Sequence, residues 1–121
     1  MATVSYNPIG NISKGAYKVT WSGIGATSSD DAGAALVIPA GYAAVTIQVI
    51  GTFANSTLTI QGSNDGGTTY ATLNDDRGEG NAMTFTAADV KQLNEIPQQI
   101  RPLLSSGSGS SLSVIAVVRM K

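Results

Sequence analysis

The chain has 121 residues, a formal net charge of −1, no cysteine and no histidine. Those absences exclude disulfides, thiol catalysis, zinc sites built on Cys or His, and His-based acid–base pairs. Charged residues are only 12% of the chain, against about 25% in an average globular domain. The seven Lys and Arg are too scattered to form a basic stripe for nucleic acid.

Residues 1–14 contain Asn7-Pro8, Gly10 and few core-type side chains. They read as an extended N-terminal arm, with residues 15–121 forming a single β-sandwich domain. No basic and apolar signal regions stand at 1–10, and no apolar run approaches the roughly 20 residues of a membrane span. A membrane partner is therefore not expected.

Residues 16–22 place Val19 and Trp21 on one strand face. Residues 34–38 are apolar and stop at Pro39, which cannot donate to a ladder. The strongest signal follows at 43–53. Ala43, Val45, Ile47, Val49 and Phe53 alternate with Thr46, Gln48 and Thr52, as in a half-buried strand. Leu58 and Ile60 resume the alternation against Thr57, Thr59 and Gln61, giving a hairpin. The turn-rich stretch 63–69 and a short strand at 70–73 make a second hairpin.

Residues 82–86 carry Met83 and Phe85 on one face. Thr86 as N-cap and Asp89 at the third position predict a short helical turn over 87–93. Pro102 marks 100–104 as an edge or irregular strand. In the last strand, 112–119, Ile115 and Val117 oppose Leu112, Val114, Ala116 and Val118. Both faces are then apolar, which predicts burial in the core or against a partner chain. Segments 27–33, 75–80 and 105–110 read as flexible by composition. Short strands separated by turns, with no crossover helices, predict an all-β chain: a two-sheet, jelly-roll-like sandwich.

Ser63-Asn64-Asp65-Gly66-Gly67-Thr68-Thr69-Tyr70 is the most distinctive motif. It resembles the Asp-box, in which Ser63, Asp65, Gly67, Thr69 and Tyr70 are the matching positions. Asp and Asn accept backbone N–H groups there, Gly supplies positive φ, and the aromatic residue is expected to re-enter the core. The motif predicts a structural hairpin, with a sugar or Ca²⁺ contact as its functional alternative. Asp75, Asp76 and Glu79 crowd one loop and Asp30 and Asp31 another. Hard cations favour such oxygens, but the spacing matches no calcium loop, so solvated turns are expected. Two Glu and six Asp, mostly in turns, offer no matched carboxylate pair, and no His activates a Ser or Thr. The chain is therefore expected not to be an enzyme and to use no cofactor or metal. Trp21 in its alternating position reads as core rather than as a carbohydrate platform.

The string from Gly51 to Arg119 also carries a family resemblance. It runs G-T-F-x-N-S-T-L-T-I-Q-G-S-N-D-G-G-T-T-Y, then N-A-M-T-F-T-A-A-D-V-K-Q-L-x-E-I-P, I-R-P and S-L-S-V-I-A-V-V-R. This is similar to small structural proteins of tailed bacteriophages. The resemblance implies a virion protein of the capsid cement or decoration type, a homotrimer on the outer capsid surface. Its partners would be the major capsid protein and further copies of itself. Tyr6, Pro8, Ile9, Ile115 and Val117 are the candidate interface residues. Another virion module (tail, neck or fibre base) and a carbohydrate-binding sandwich are the alternative expectations.

Overall fold

A computed structural model describes residues 2–13, 15–25, 31–39, 41–76, 81–105 and 110–120. The side chains of 2 and 8–13 lie outside that description. The described residues contain strands and turns but no helix. The strands are β1 (Ala2–Val4), β2 (Tyr6–Ser13), β3 (Ala16–Ile24), β4 (Asp31–Gly33), β5 (Leu36–Val37) and β6 (Tyr42–Thr52). They continue with β7 (Thr57–Ser63), β8 (Ala71–Thr72), β9 (Thr84–Phe85), β10 (Asp89–Gln92), β11 (Gln99–Ser105) and β12 (Ser111–Met120).

Two sheets face each other. The first has the order β1-β4-β11-β7-β8, with β5 beside β11 and β9 beside β7. The second has the order β10-β6-β12-β3-β2. From β3 onward the chain passes from sheet to sheet at most of its connections, which is the jelly-roll path. Four antiparallel pairs are nested: β7 with β8, β6 with β10, β5 with β11, and β3 with β12. The chain is thus one long hairpin, folded at the turn after β7 and rolled so that β12 lies beside β6 and β11 beside β7.

The period-two pattern explains what fills the space between the sheets. Val45, Ile47 and Val49 of β6 point inward, as do Val19 and Trp21 of β3, Leu58 and Ile60 of β7, and Val114, Ala116 and Val118 of β12. Ala43 is exposed and Phe53 half-buried, so the buried face of β6 is shorter than its alternation predicts. Trp21 is fully buried and donates its indole N–H to the Ala34 carbonyl at 3.0 Å, which removes it as a sugar platform. Gly33 is placed by sterics. A Cβ there would stand 2.5 Å from Pro102 Cγ and 2.7 Å from Trp21 Cδ1.

Three expectations are corrected. Residues 2–13, expected as an arm, are edge strands of both sheets: β1 pairs in parallel with β4, and β2 pairs with β3. Backbone pairing needs no apolar side chains, so composition concealed it. The helical turn expected at 87–93 is instead strand β10, paired to β6 through Lys91↔Ile47 and its neighbours. The unpaired edge of β6 outweighs a cap signal too short to nucleate a helix. Asp31–Gly33, expected as loop, is β4. Of the two expectations for 100–104, edge or irregular, the second holds: β11 is interior, and its ladder is irregular at Pro102. On its β4–β5 side the ladder is interrupted between Leu103↔Ala32 and Ile100↔Leu36, where the ring of Pro102 fits against Gly33. Residues 27–30, 77–80 and 106–109, within segments expected to be flexible, lie outside the described residues.

Core truncation and core overfilling should both register here. Leu58→Ala is expected to lower unfolding stability by about 2–5 kcal/mol. Gly33→Ala should cost about 1–3 kcal/mol through its clash with Pro102 and Trp21. Urea unfolding checks both, and an unchanged midpoint for either variant would contradict this packing.

Candidate functional site

The β7–β8 turn is built from the motif residues outward. Ser63 Oγ donates to Asp65 Oδ1 at 2.6 Å and accepts from the Gly67 N–H at 3.1 Å. The Thr69 N–H donates to the same Asp65 oxygen at 2.9 Å. Gly66 and Gly67 take φ of 75° and 90°, the left-handed region that side chains disfavour. One hydroxyl and one carboxylate therefore hold three backbone N–H groups, those of Asp65, Gly67 and Thr69. Tyr70 departs from the expected re-entry into the core. It is half-buried on the outer side of the first sheet, with the Arg101 guanidinium 3.8 Å from its ring centre. Arg101 Nε donates in turn to Gln61 Oε1 at 3.0 Å.

The segment between β10 and β11 docks against this turn. The Gly66 N–H donates to Gln98 Oε1 at 3.1 Å, and the Gln98 N–H donates to Asn64 Oδ1 at 2.8 Å. Nearby, Glu95 accepts from the Asn74 backbone N–H at 2.7 Å and from the Asn74 side-chain amide at 3.0 Å. Between turn and segment lies an open groove of about 510 Å³. Leu73, Ile96 and Pro97 supply apolar lining, while Asp65, Tyr70 and Glu95 supply polar and aromatic lining.

The two groove carboxyls are shifted in the same direction. The Ser63 hydroxyl, followed by the Thr69 N–H, holds Asp65 below its ordinary value. The Asn74 backbone N–H, followed by its side-chain amide, does the same for Glu95. Both groups thus favour the ionised form at neutral pH.

Two of the other acidic residues, Asp31 and Asp75, are not in the solvated turns expected. Asp31 is buried and accepts from the Gly25 N–H at 2.6 Å. Asp75 is buried, bridges to Leu93, and accepts from the Asn81 amide at 2.8 and 3.0 Å. Both tie loops to the sandwich, which no local spacing in the sequence signals. Asp76 is exposed, and Asp30 and Glu79 lie outside the described residues. Among the described residues no group of three or more acidic side chains is arranged to hold a metal ion.

The candidate interface residues fall on the second sheet. Ile115 stands between Thr20 of β3 and Gln48 of β6, and Val117 between Lys18 and Thr46. Both are half-buried, so β12 is buried fully on its inner face alone. Val90 of β10, paired with Gln48, extends the row and is 46% exposed; Ile50, opposite Ser113, is 42% exposed. Two charged side chains of this paired patch point outward, Lys18 and, at its end, the exposed Arg119, and no carboxylate does. Tyr6 turns the other way, packing edge-on against Trp21 with ring centres 5.7 Å apart. Pro8 and Ile9 lie in β2, and their side chains fall outside the described residues.

No protein-family model and no curated protein matches the chain. Among solved structures, it is similar to the K1 cleaved adhesin domain of Lys-gingipain from Porphyromonas gingivalis W83. The match covers 98% of this chain and 85% of that chain, with 14% identity and a TM-score of 0.37.

The groove carboxyls give an acid signature. A depressed folded-state pKa contributes stability above the ordinary value, and that stability is lost as pH falls through the folded value. The melting temperature should therefore drop on acidification below about pH 4.5, the ordinary value for Glu95. Glu95→Gln should flatten part of that drop. Thermal melts across the acid range check this, and identical slopes for the two proteins would contradict it.

Proposed function

We propose that the chain is a non-catalytic virion structural protein: a capsid cement or decoration protein of a tailed bacteriophage. In this reading it sits on the outer capsid surface as a homotrimer and reinforces contacts between major capsid subunits. The observation that carries the reading is the outer face of the second sheet. Ile50, Val90, Ile115 and Val117 stand there among Thr20, Thr46 and Gln48, with Lys18 and, at one end, Arg119 the outward charges of the paired patch. Interface centres are depleted in charge and more apolar than the rest of a protein's surface. β-Branched residues also lose little rotamer freedom when covered, which lowers the entropic cost of docking. The resemblance of residues 51–119 to phage structural proteins supplies the kind of particle. Many copies on a symmetric shell then gain avidity from modest individual contacts.

The test is co-sedimentation of the purified chain with tailed-phage heads stripped of their surface proteins. Wild-type protein should pellet with the heads. The double variant Ile115→Lys/Val117→Lys should keep its unfolding midpoint, because both side chains point outward, yet bind about tenfold more weakly or worse. A wild-type chain that stays in the supernatant, or a double variant that pellets equally well, would overturn the proposal.

A further inference from the structure

The groove between the β7–β8 turn and residues 95–97 is not used by the sheet face described above. Its volume, about 510 Å³, lies within the size range of small-molecule sites, roughly 300–1,000 Å³. Its lining divides by chemistry. Leu73, Ile96 and Pro97 are apolar, and Tyr70 adds an aromatic ring. Asn64, Asp65, Thr69 and Glu95 are hydrogen-bonding groups, and no Lys or Arg joins them.

These groups are held before any ligand arrives. Tyr70 is backed by Arg101 at 3.8 Å, and its hydroxyl donates to Gln99 Oε1 at 3.4 Å. Asp65 is fixed by Ser63 and Thr69, Glu95 by Asn74, and Asn64 by the Gln98 N–H. Rigid lining groups lose little conformational entropy on binding.

We infer that this groove binds a short neutral glycan. A pyranose ring has an apolar C–H face and an edge of hydroxyl donors, and the lining offers a counterpart to each. Tyr70 with Leu73, Ile96 and Pro97 would cover the C–H face. The carboxylates of Asp65 and Glu95 and the Asn64 amide would accept from the hydroxyls. Two carboxylates without a basic neighbour in the lining repel uronate and sialate sugars, so the specificity is for uncharged rings. A basic peptide is the less favoured occupant. Both carboxylates already accept two or more hydrogen bonds from this chain, which leaves acceptor sites suited to hydroxyls and a reduced demand for a full counter-charge. The glycan site and the proposed capsid face use different residues, so either can fail alone.

The test is a titration of the full-length ¹⁵N-labelled chain, read by amide NMR. The probes are cellotriose, mannotriose, triacetylchitotriose, trigalacturonate and trilysine. At least one of the three neutral trisaccharides should shift the amides of Asn64, Thr69, Tyr70, Ala71, Glu95 and Ile96 saturably. Trigalacturonate and trilysine should bind about tenfold more weakly or not at all. Tyr70→Phe should keep binding and Tyr70→Ala should weaken it about tenfold or more. Ala71→Trp, at an exposed lining position, should block the groove with the fold intact, and serves if Tyr70→Ala unfolds. The inference is overturned if no neutral trisaccharide shifts these amides. It is equally overturned if trigalacturonate or trilysine binds as tightly as the best neutral probe, or if Ala71→Trp binds undiminished.

Discussion

Four strand pairs share one centre. The midpoints of Gln61↔Thr72, Asp89↔Val49, Ile100↔Leu36 and Val114↔Trp21 all fall inside the turn at 63–70. The sandwich is therefore a single hairpin whose arms are held in register from that turn outward. Closing such long arms carries a loop entropy that grows with every nested pair unless the inner pair forms first. The Ser63–Asp65 network supplies that inner closure without any core side chain. Rolling then brings β12 against β6 and β11 against β7, and the hydrophobic faces of the two sheets meet. The same turn forms one wall of the groove, so the element that organises the fold also shapes that concave surface.

Charge is scarce in this chain, and its placement is economical. Arg101 lies on Tyr70, Lys91 lies 4.9 Å from the Phe85 ring centre and donates to the Thr84 carbonyl, and Asp31 and Asp75 are buried against backbone or amide donors. Asp65 and Glu95 stand at the groove. With these side chains committed at the ends and edges, the outer face of the second sheet is left mostly with Thr, Gln, Ile and Val, beside Lys18 and, at one end, Arg119. The low charged fraction read from composition thus has a structural meaning: a broad surface that loses little polar solvation when another protein covers it.

Sequence periodicity was legible wherever a strand is long and has one wet face. Val45, Ile47 and Val49 of β6, and Leu58 and Ile60 of β7, are inward as their alternation requires. The jelly-roll class followed from many short strands without helices. Two strands of three and four residues were less legible, because β4 and β10 take their conformation from a waiting neighbour rather than from their own propensity. The same holds for residues 2–13, where backbone pairing decides. The turn motif at 63–70 was visible as a string. The groove was not, because its opposite wall, Glu95 to Pro97, comes from a segment about 30 residues away that carries no motif. Asp31 and Asp75 were misread for a related reason: their donors, Gly25 and Asn81, are recognisable only once the loops close.

A sheet face with few charges among Ile, Val, Thr and Gln is suited to being covered, and the proposed reading of it as part of a trimeric surface protein predicts self-association. The most direct measurement is the mass of the purified chain in solution by light scattering. A single species of three times the 12.3 kDa chain mass is the expected result. A monomer that persists at high concentration would contradict the trimer.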